Sequence, residues 1–234
     1  MGKMCILEIN NVSKKYKRRN RELTVLDGLN LKVEKGSFNA VEGESGSGKS
    51  TLLGILAGLT DIDEGSVIYH KDSESGSVID IHSLSESERA KLRRHDIVYM
   101  PQQQEIISEL TVSENIMLVD VFNKENKDNS EIRLSYLTER LGLTDLKDEY
   151  PENISGGELR RLIVARAMYS NPKIVLADEP TNDLDRQNRE VIGKAFREMT
   201  ESGITVIVVT HDEELAKRAD NRFLLKDGKL NEIK

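Results

Sequence analysis

The 234-residue sequence has no tryptophan, a single cysteine, four prolines and only 4% aromatic residues. One cysteine cannot close an internal disulfide, so Cys5, set in the apolar run Cys5-Ile6-Leu7, excludes a disulfide scaffold and suits a reducing compartment. Long apolar runs are missing as well. Stretches 52–59 and 206–209 fall far short of the roughly 20 residues a membrane-spanning helix needs. No signal peptide is expected, because Glu8 and Asn10 interrupt the start before an apolar stretch develops. Ile6 stands where an acylation motif starting at Gly2 wants Ser or Thr. A basic excess is also absent. The net charge of −7 argues against nucleic acid as a partner. The local exception is Lys14, Lys15, Lys17, Arg18, Arg19 and Arg21 around Tyr16, which reads as a solvated loop, with contact to phosphates or anionic lipid as the alternative.

What is present is enough for one large α/β domain or two small ones, with 37% hydrophobic residues to fill a core. Residues 5–12, 24–33 and 37–42 read as short strands with tight links, so an antiparallel sheet is expected before the α/β core. Segments 65–69 and 78–81 flank the polar, turn-forming stretch 71–77 and read as a hairpin, with a loop that looks long. Ser85 with Glu88, and Thr111 with Glu114, are capping boxes that place helices over 86–94 and 112–122. After a polar loop over 123–129, a helix is expected over 131–141, with Ile132, Tyr136, Leu137 and Leu141 on one side. The block 103–170 is thus mostly helical and reads as a subdomain of its own. Beyond it lie a buried strand over 173–178 and a helix after Asp185 that presents Val191, Ile192, Ala195, Phe196 and Met199. A β-branched strand over 205–210 and a hairpin around Asp227-Gly228 complete the chain. Alternating strands and helices of this kind make a mainly parallel sheet covered by helices.

Two motifs carry chemistry. Gly43-Glu44-Ser45-Gly46-Ser47-Gly48-Lys49-Ser50-Thr51 follows a strand and opens a helix, as a phosphate-binding loop must. Its glycines let successive N–H groups face a polyphosphate, and the helix N-terminus adds positive charge. Lys49 is expected on the β/γ-phosphates and Ser50 on Mg²⁺. Later, Ile174-Val175-Leu176-Ala177 ends in Asp178-Glu179. Taken alone this pair is an acidic turn at a strand end. Paired with the loop, Asp178 becomes a Mg²⁺ holder and Glu179 the group that polarises an attacking water.

Ile154-Ser155-Gly156-Gly157-Glu158, followed by Arg161 and Ala165-Arg166-Ala167, resembles the signature motif of ABC ATPases. Their other landmarks follow in order: Tyr16, Gln102 in Tyr99-Met100-Pro101-Gln102, Asn182-Asp183-Leu184-Asp185, and His211 in Thr210-His211-Asp212. The resemblance covers essentially the whole chain. It implies one nucleotide-binding domain over 1–234, a P-loop core with an N-terminal antiparallel β subdomain and an inserted helical subdomain. It also implies adenine stacking on Tyr16, a Mg²⁺ contact through Gln102, and a γ-phosphate contact for His211, which by itself reads equally well as a core histidine. For Ser155, Gly156 and Gly157 it implies a contact with the γ-phosphate of ATP held by a second copy of the chain, and for Asp185 a place among the nucleotide-binding residues. Ser155 with Glu158 is otherwise a simple capping box.

The single nucleotide-binding unit excludes the tandem relatives, and the lack of a long heptad insertion excludes the chromosome-tethering ones. The text around 83–94, 206–212 and 225–228 looks like the macrolide-exporter, lipoprotein-releasing, antimicrobial-peptide-resistance and cell-division group. That likeness implies a separate integral membrane permease as partner and a peripheral place on the cytoplasmic face. Export or extraction is the first expectation; mechanotransmission to an extracytoplasmic effector and a soluble regulatory ATPase are the others. Four positions depart from the pattern: Glu158 for Gln, Glu44 for Pro, and polar Asn39 and Glu42 in the strand before the loop. Glu42 and Glu44 are expected to repel bound triphosphate, unless they face solvent or pair with the basic stretch.

Overall fold

A computed structural model describes residues 4–18, 21–72, 77–103, 105–121 and 129–233. Expectations for the chain start, the tip at 19–20, most of the 71–77 loop and nearly all of 123–129 lie outside the described residues. Two sheets organise the rest. An antiparallel sheet has the order β2-β1-β4-β5, from β1 (Cys5–Arg18), β2 (Arg21–Glu34), β4 (Glu64–Asp72) and β5 (Ser77–Asp80). The second has the order β10-β9-β3-β8-β7-β6. It is built from β3 (Phe38–Glu42), β6 (Ile97–Met100), β7 (Ile174–Asp178), β8 (Thr205–Val209), β9 (Asn221–Lys226) and β10 (Lys229–Ile233). All of its pairings are parallel except β9 with β10.

Every residue of β7 and β8 is buried, because helices cover one face and the antiparallel sheet with α1 (Lys49–Leu56) covers the other. The period of two still sorts their side chains. Val175, Ala177, Val206 and Val208 pack with α5 (Gly156–Ser170) and α6 (Arg186–Glu201). Ile174, Leu176, Ile207 and Val209 pack with Leu52, Leu53 and Leu56 of α1. The remaining helices are α2 (Glu86–His95), α3 (Val112–Ile116), α4 (Ser130–Arg140) and α7 (Glu213–Ala216). Among the described residues no helix is long and apolar enough to cross a membrane.

Asn39, polar and fully buried in β3, is satisfied within the sheet. Its Nδ2 donates to Ser37 Oγ (2.8 Å) and to the carbonyls of Ser37 and Val206, and its Oδ1 accepts from Asn221 Nδ2 (2.9 Å). One amide thus joins β3 to both neighbouring strands.

Three sequence expectations are corrected. Residues 14–18 of the basic stretch are strand and not loop: β1 runs to Arg18 and pairs with β2 as far as Arg18 opposite Arg21, with register shifts that let the strand pass its bulges. The helix after Thr111 is α-helical only to Ile116 and continues as a 3₁₀ turn over Met117–Val121. In α4 the buried stripe is Leu134, Leu137 and Thr138, with Leu141 just beyond its end, while Ile132 and Tyr136 are 71% and 53% exposed. At about 100° per residue, Ile132 stands roughly 200° from Leu134 and cannot share its face.

Candidate active site

The loop between β3 and α1 turns sharply, and two glycines make the turn possible. A Cβ on Gly43 would stand 2.6 Å from the Leu225 carbonyl oxygen and 2.7 Å from Ser47 Oγ. Gly48 caps α1 at φ 103°, a region other residues avoid. No side chain caps this helix start and its first turn holds no acidic residue, so its N–H groups and dipole face outward unneutralised. Lys49, buried, folds back over the loop and donates through Nζ to the carbonyls of Gly43 (2.8 Å) and Glu44 (3.0 Å).

Across the cavity, β7 delivers the acidic pair. Glu179 sits at φ 46°, a left-handed conformation that costs a bulky residue about 1–3 kcal/mol. Its surroundings hold it there. Its N–H donates to the Val209 carbonyl (2.9 Å), and its Oε2 accepts the His211 main-chain N–H (3.2 Å) and lies 2.9 Å from His211 Nδ1. Oε1 faces Lys49 Nζ at 3.6 Å. Neighbouring strand ends therefore set the Glu179–His211 pair.

Asp178 is buried, and burial pushes its carboxyl pKa up against the opposing pull of Ser50. Its Oδ2 accepts from the Tyr99 hydroxyl at 3.4 Å, while Oδ1 has no hydrogen-bond partner among the described residues. Burial and the Asp178 charge push Tyr99 up to about 12, so it stays a donor. Tyr99 precedes Gln102 by three residues, and nothing in the strand pattern marks its hydroxyl as part of the site.

Gly43, Glu44, Ser45, Gly46, Gly48, Lys49, Ser50, Thr51, Gln102, Asp178, Glu179 and His211 line one cavity of about 540 Å³, with Val25 of β2 as an apolar wall. Ser47 instead faces a neighbouring cleft of about 430 Å³. Tyr16 stands on β1, 42% exposed, with Lys14 Nζ 5.3 Å over its ring and outside the cavity wall. The glutamates before the loop behave differently from each other. Glu42 pairs with Arg222, Oε1 to Nη2 at 2.8 Å, which neutralises it with a partner outside the basic stretch; Glu44 is exposed at the cavity edge.

Ser155, Gly156, Gly157 and Asp185 form a separate cluster where α5 and α6 begin. Ser155 caps α5 and its Oγ donates to Glu158 Oε2 (2.7 Å), while Asp185 caps α6 by accepting from the Asn188 N–H (2.7 Å). A Cβ on Gly157 would meet Asn188 Nδ2 at 2.5 Å, whereas nothing lies within 4 Å of one on Gly156.

A parallel sheet with a glycine loop and lysine at one strand end, and a buried aspartate with a strained glutamate at another, defines a P-loop nucleoside triphosphatase. Similarity to known proteins narrows the class. The family described as ABC transporter matches residues 26–182. An ABC transporter ATP-binding protein of Methanocaldococcus jannaschii is 39% identical over 228 residues, 97% of this chain and 99% of the relative. The lipoprotein-releasing system ATP-binding protein LolD of Francisella tularensis is 36% identical, over 96% and 95%. Among solved structures, the ATP-binding cassette MJ0796, dimeric in a post-hydrolysis state with ADP and Pi, superposes with a TM-score of 0.87 at 33% identity, over 98% of both chains. The chain belongs to the ABC transporter family, as an ATP-binding subunit with ATPase activity.

Proposed function

We propose that two copies of this chain close around two Mg·ATP and, by hydrolysing them, drive a separate membrane permease in export or extraction. The observation that carries this reading is the separation of the two clusters. Lys49, Asp178 and Glu179 share the cavity, whereas Ser155, Gly156 and Gly157 open α5 outside it. The open approach at Gly156 and the positive end of a 15-residue helix suit an anion brought by a second molecule. The dimeric state of the MJ0796 cassette supports it, and the lipoprotein-releasing role of LolD favours extraction.

In this reading the loop N–H groups and Lys49 hold the phosphates, and Tyr16 stacks against adenine from the edge of β1. Glu179 Oε1 orients the attacking water, while His211 fixes Oε2 and adds a γ-phosphate contact. Ser50, Gln102 and Asp178 would hold Mg²⁺. They offer a hydroxyl, an amide and a buried carboxylate whose Oδ1 has no partner among the described residues, an all-oxygen donor set that fits a hard divalent cation. When bound, Mg²⁺ supplies charge neutralisation across the phosphate oxygens.

The test is Glu179→Gln with Mg·ATP. It keeps the loop and Asp178, so the protein is expected to double its mass in light scattering only with nucleotide. A mass that stays monomeric with ATP bound would reject the sandwich. Affinity purification from native membranes separates the partners: a permease with a large extracytoplasmic domain supports the transport reading, and a cell-wall hydrolase in the same complex supports mechanotransmission instead.

A further inference from the structure

The chain segments that follow β7 and β8 are joined twice. The first tie is the Glu179–His211 pair in the cavity wall. The second lies just beyond it on both segments: the hydroxyl of Thr181, a buried residue, donates to Asp212 Oδ2 at 2.9 Å. Thr181 belongs to the turn that begins at the left-handed glutamate, closed by the Asn182 N–H on the Glu179 carbonyl at 3.2 Å. Asp212 directly follows His211. Its N–H donates to Oγ1 of the buried Thr210 at 3.0 Å, and the Thr210 N–H donates to the Val41 carbonyl at 3.0 Å. The main chain is thus pinned on both sides of the histidine.

Asp212 divides its oxygens between two tasks. Oδ1 accepts from the N–H groups of Glu214 (3.0 Å) and Leu215 (3.3 Å) and so caps α7. Oδ2 serves Thr181 and lies 3.8 Å from Nη1 of Arg189, in the first turn of α6. Arg189 donates through Nε to the Leu184 carbonyl at 2.8 Å, so it grips the same connection between β7 and α6. His211 needs such support. Its side chain is 65% exposed, and it lines both the 540 Å³ cavity and a second one of about 320 Å³ shared with Thr181 and Asp212. A strained glutamate beside an exposed ring keeps its geometry only where the surrounding main chain is over-determined.

We propose that Asp212 is a positioning residue for hydrolysis: through Oδ2 and the Thr181 hydroxyl it locks the turn after Glu179 to the main chain that carries His211. Asp212 is not in the wall of the 540 Å³ cavity, so it acts through the spacing of the two groups that are. The inference rests on the roles proposed for Glu179 and His211. Those roles fail separately, by near-normal turnover in Glu179→Gln, whereas the tie is tested with both residues intact.

The test compares Thr181→Val, Thr181→Ser and Asp212→Ser. Valine keeps the buried shape and deletes the hydroxyl, while serine at 181 keeps it. Serine at 212 still caps a helix but has no second oxygen for Thr181. Thr181→Val and Asp212→Ser should each lower kcat about tenfold, the scale of a hydrogen bond to a charged acceptor, with KM for ATP changed by less than about twofold. Thr181→Ser should restore most of the rate, and the double variant Thr181→Val with Asp212→Ser should be no slower than the slower single one. A normal kcat in Thr181→Val would overturn the proposal. So would a Thr181→Ser as slow as Thr181→Val, since the methyl group and not the hydroxyl would then matter. Losses that multiply in the double variant, or a raised KM with kcat unchanged, would overturn it as well. Should Thr181→Val fail to fold, the same kcat and KM readings on Thr181→Ala and Asp212→Ser decide.

Discussion

The cavity and the start of α5 are built on opposite plans. In the cavity the working groups are buried and over-determined. Lys49 is tied to two carbonyls, and Glu179 is held in a left-handed conformation by three contacts from its own main chain and His211. At α5 Gly156 is bare, and the helix start is capped from within the chain by Ser155 and Glu158. The first region is finished within one chain. In the proposed dimer the second is completed by a phosphate from the partner copy, and its own capping box holds the helix start.

Substitutions can break or sharpen this contrast. The largest effect is expected within the finished half: Glu179→Gln should lower kcat at least about a hundredfold, the usual scale for removing a group that handles the water proton. Equilibrium binding of a fluorescent ATP analogue should stay intact in that variant, and near-normal turnover would reject the role. In the open half, Gly156→Asp should leave the fold and nucleotide binding by the single chain untouched. There is room for the side chain, and an acid in the first turn favours the helix. It should nonetheless lower hydrolysis by roughly tenfold or more, through repulsion of an incoming phosphate. Unchanged hydrolysis would mean that nothing anionic docks there.

A smaller change is expected for Tyr99→Phe, which removes the hydroxyl that donates to Asp178 Oδ2. A hydrogen bond of about 0.5–1.5 kcal/mol corresponds to a two- to tenfold weaker apparent Mg²⁺ affinity, read from the Mg²⁺ dependence of hydrolysis. The smallest concerns Glu158, whose carboxyl is held below its ordinary 4.5 by hydrogen bonds from the Ser155 main chain and hydroxyl. A depressed acid stabilises the fold above the unfolded-state pKa, and that contribution fades as pH falls through the folded-state value. Glu158→Gln should therefore flatten the loss of thermal midpoint below about pH 4.5 and change little at neutral pH. An unchanged acid profile would show that the capping box contributes nothing there.

Much of this was legible in the sequence because local chemistry wrote it. The phosphate loop, the Asp178-Glu179 strand end and the capping boxes at Ser85, Thr111 and Ser155 are short-range patterns, and they reappear as the loop before α1, the end of β7 and the starts of α2, α3 and α5. What escaped depends on contacts remote in sequence. The Glu42 partner, Arg222, is 180 residues away; Asn39 is explained by Asn221; and Tyr99 meets Asp178 across adjacent strands. The α4 face failed for another reason. Ile132 and Tyr136 are apolar at helical spacing, and four residues alone do not say which stripe the core will take.

The hydrogen bonds from Lys49 to Gly43 and Glu44 have a consequence for how a ligand is met. A free lysine side chain loses as much as about 2 kcal/mol of rotamer freedom when it is pinned. Here that loss is incurred during folding, since the ammonium already closes the loop into a ring. A triphosphate arriving at such a ring orders little that is not ordered already, so more of its attraction to the N–H groups remains as affinity. The lysine is in this sense a clasp for the loop as well as the charge proposed for the phosphate.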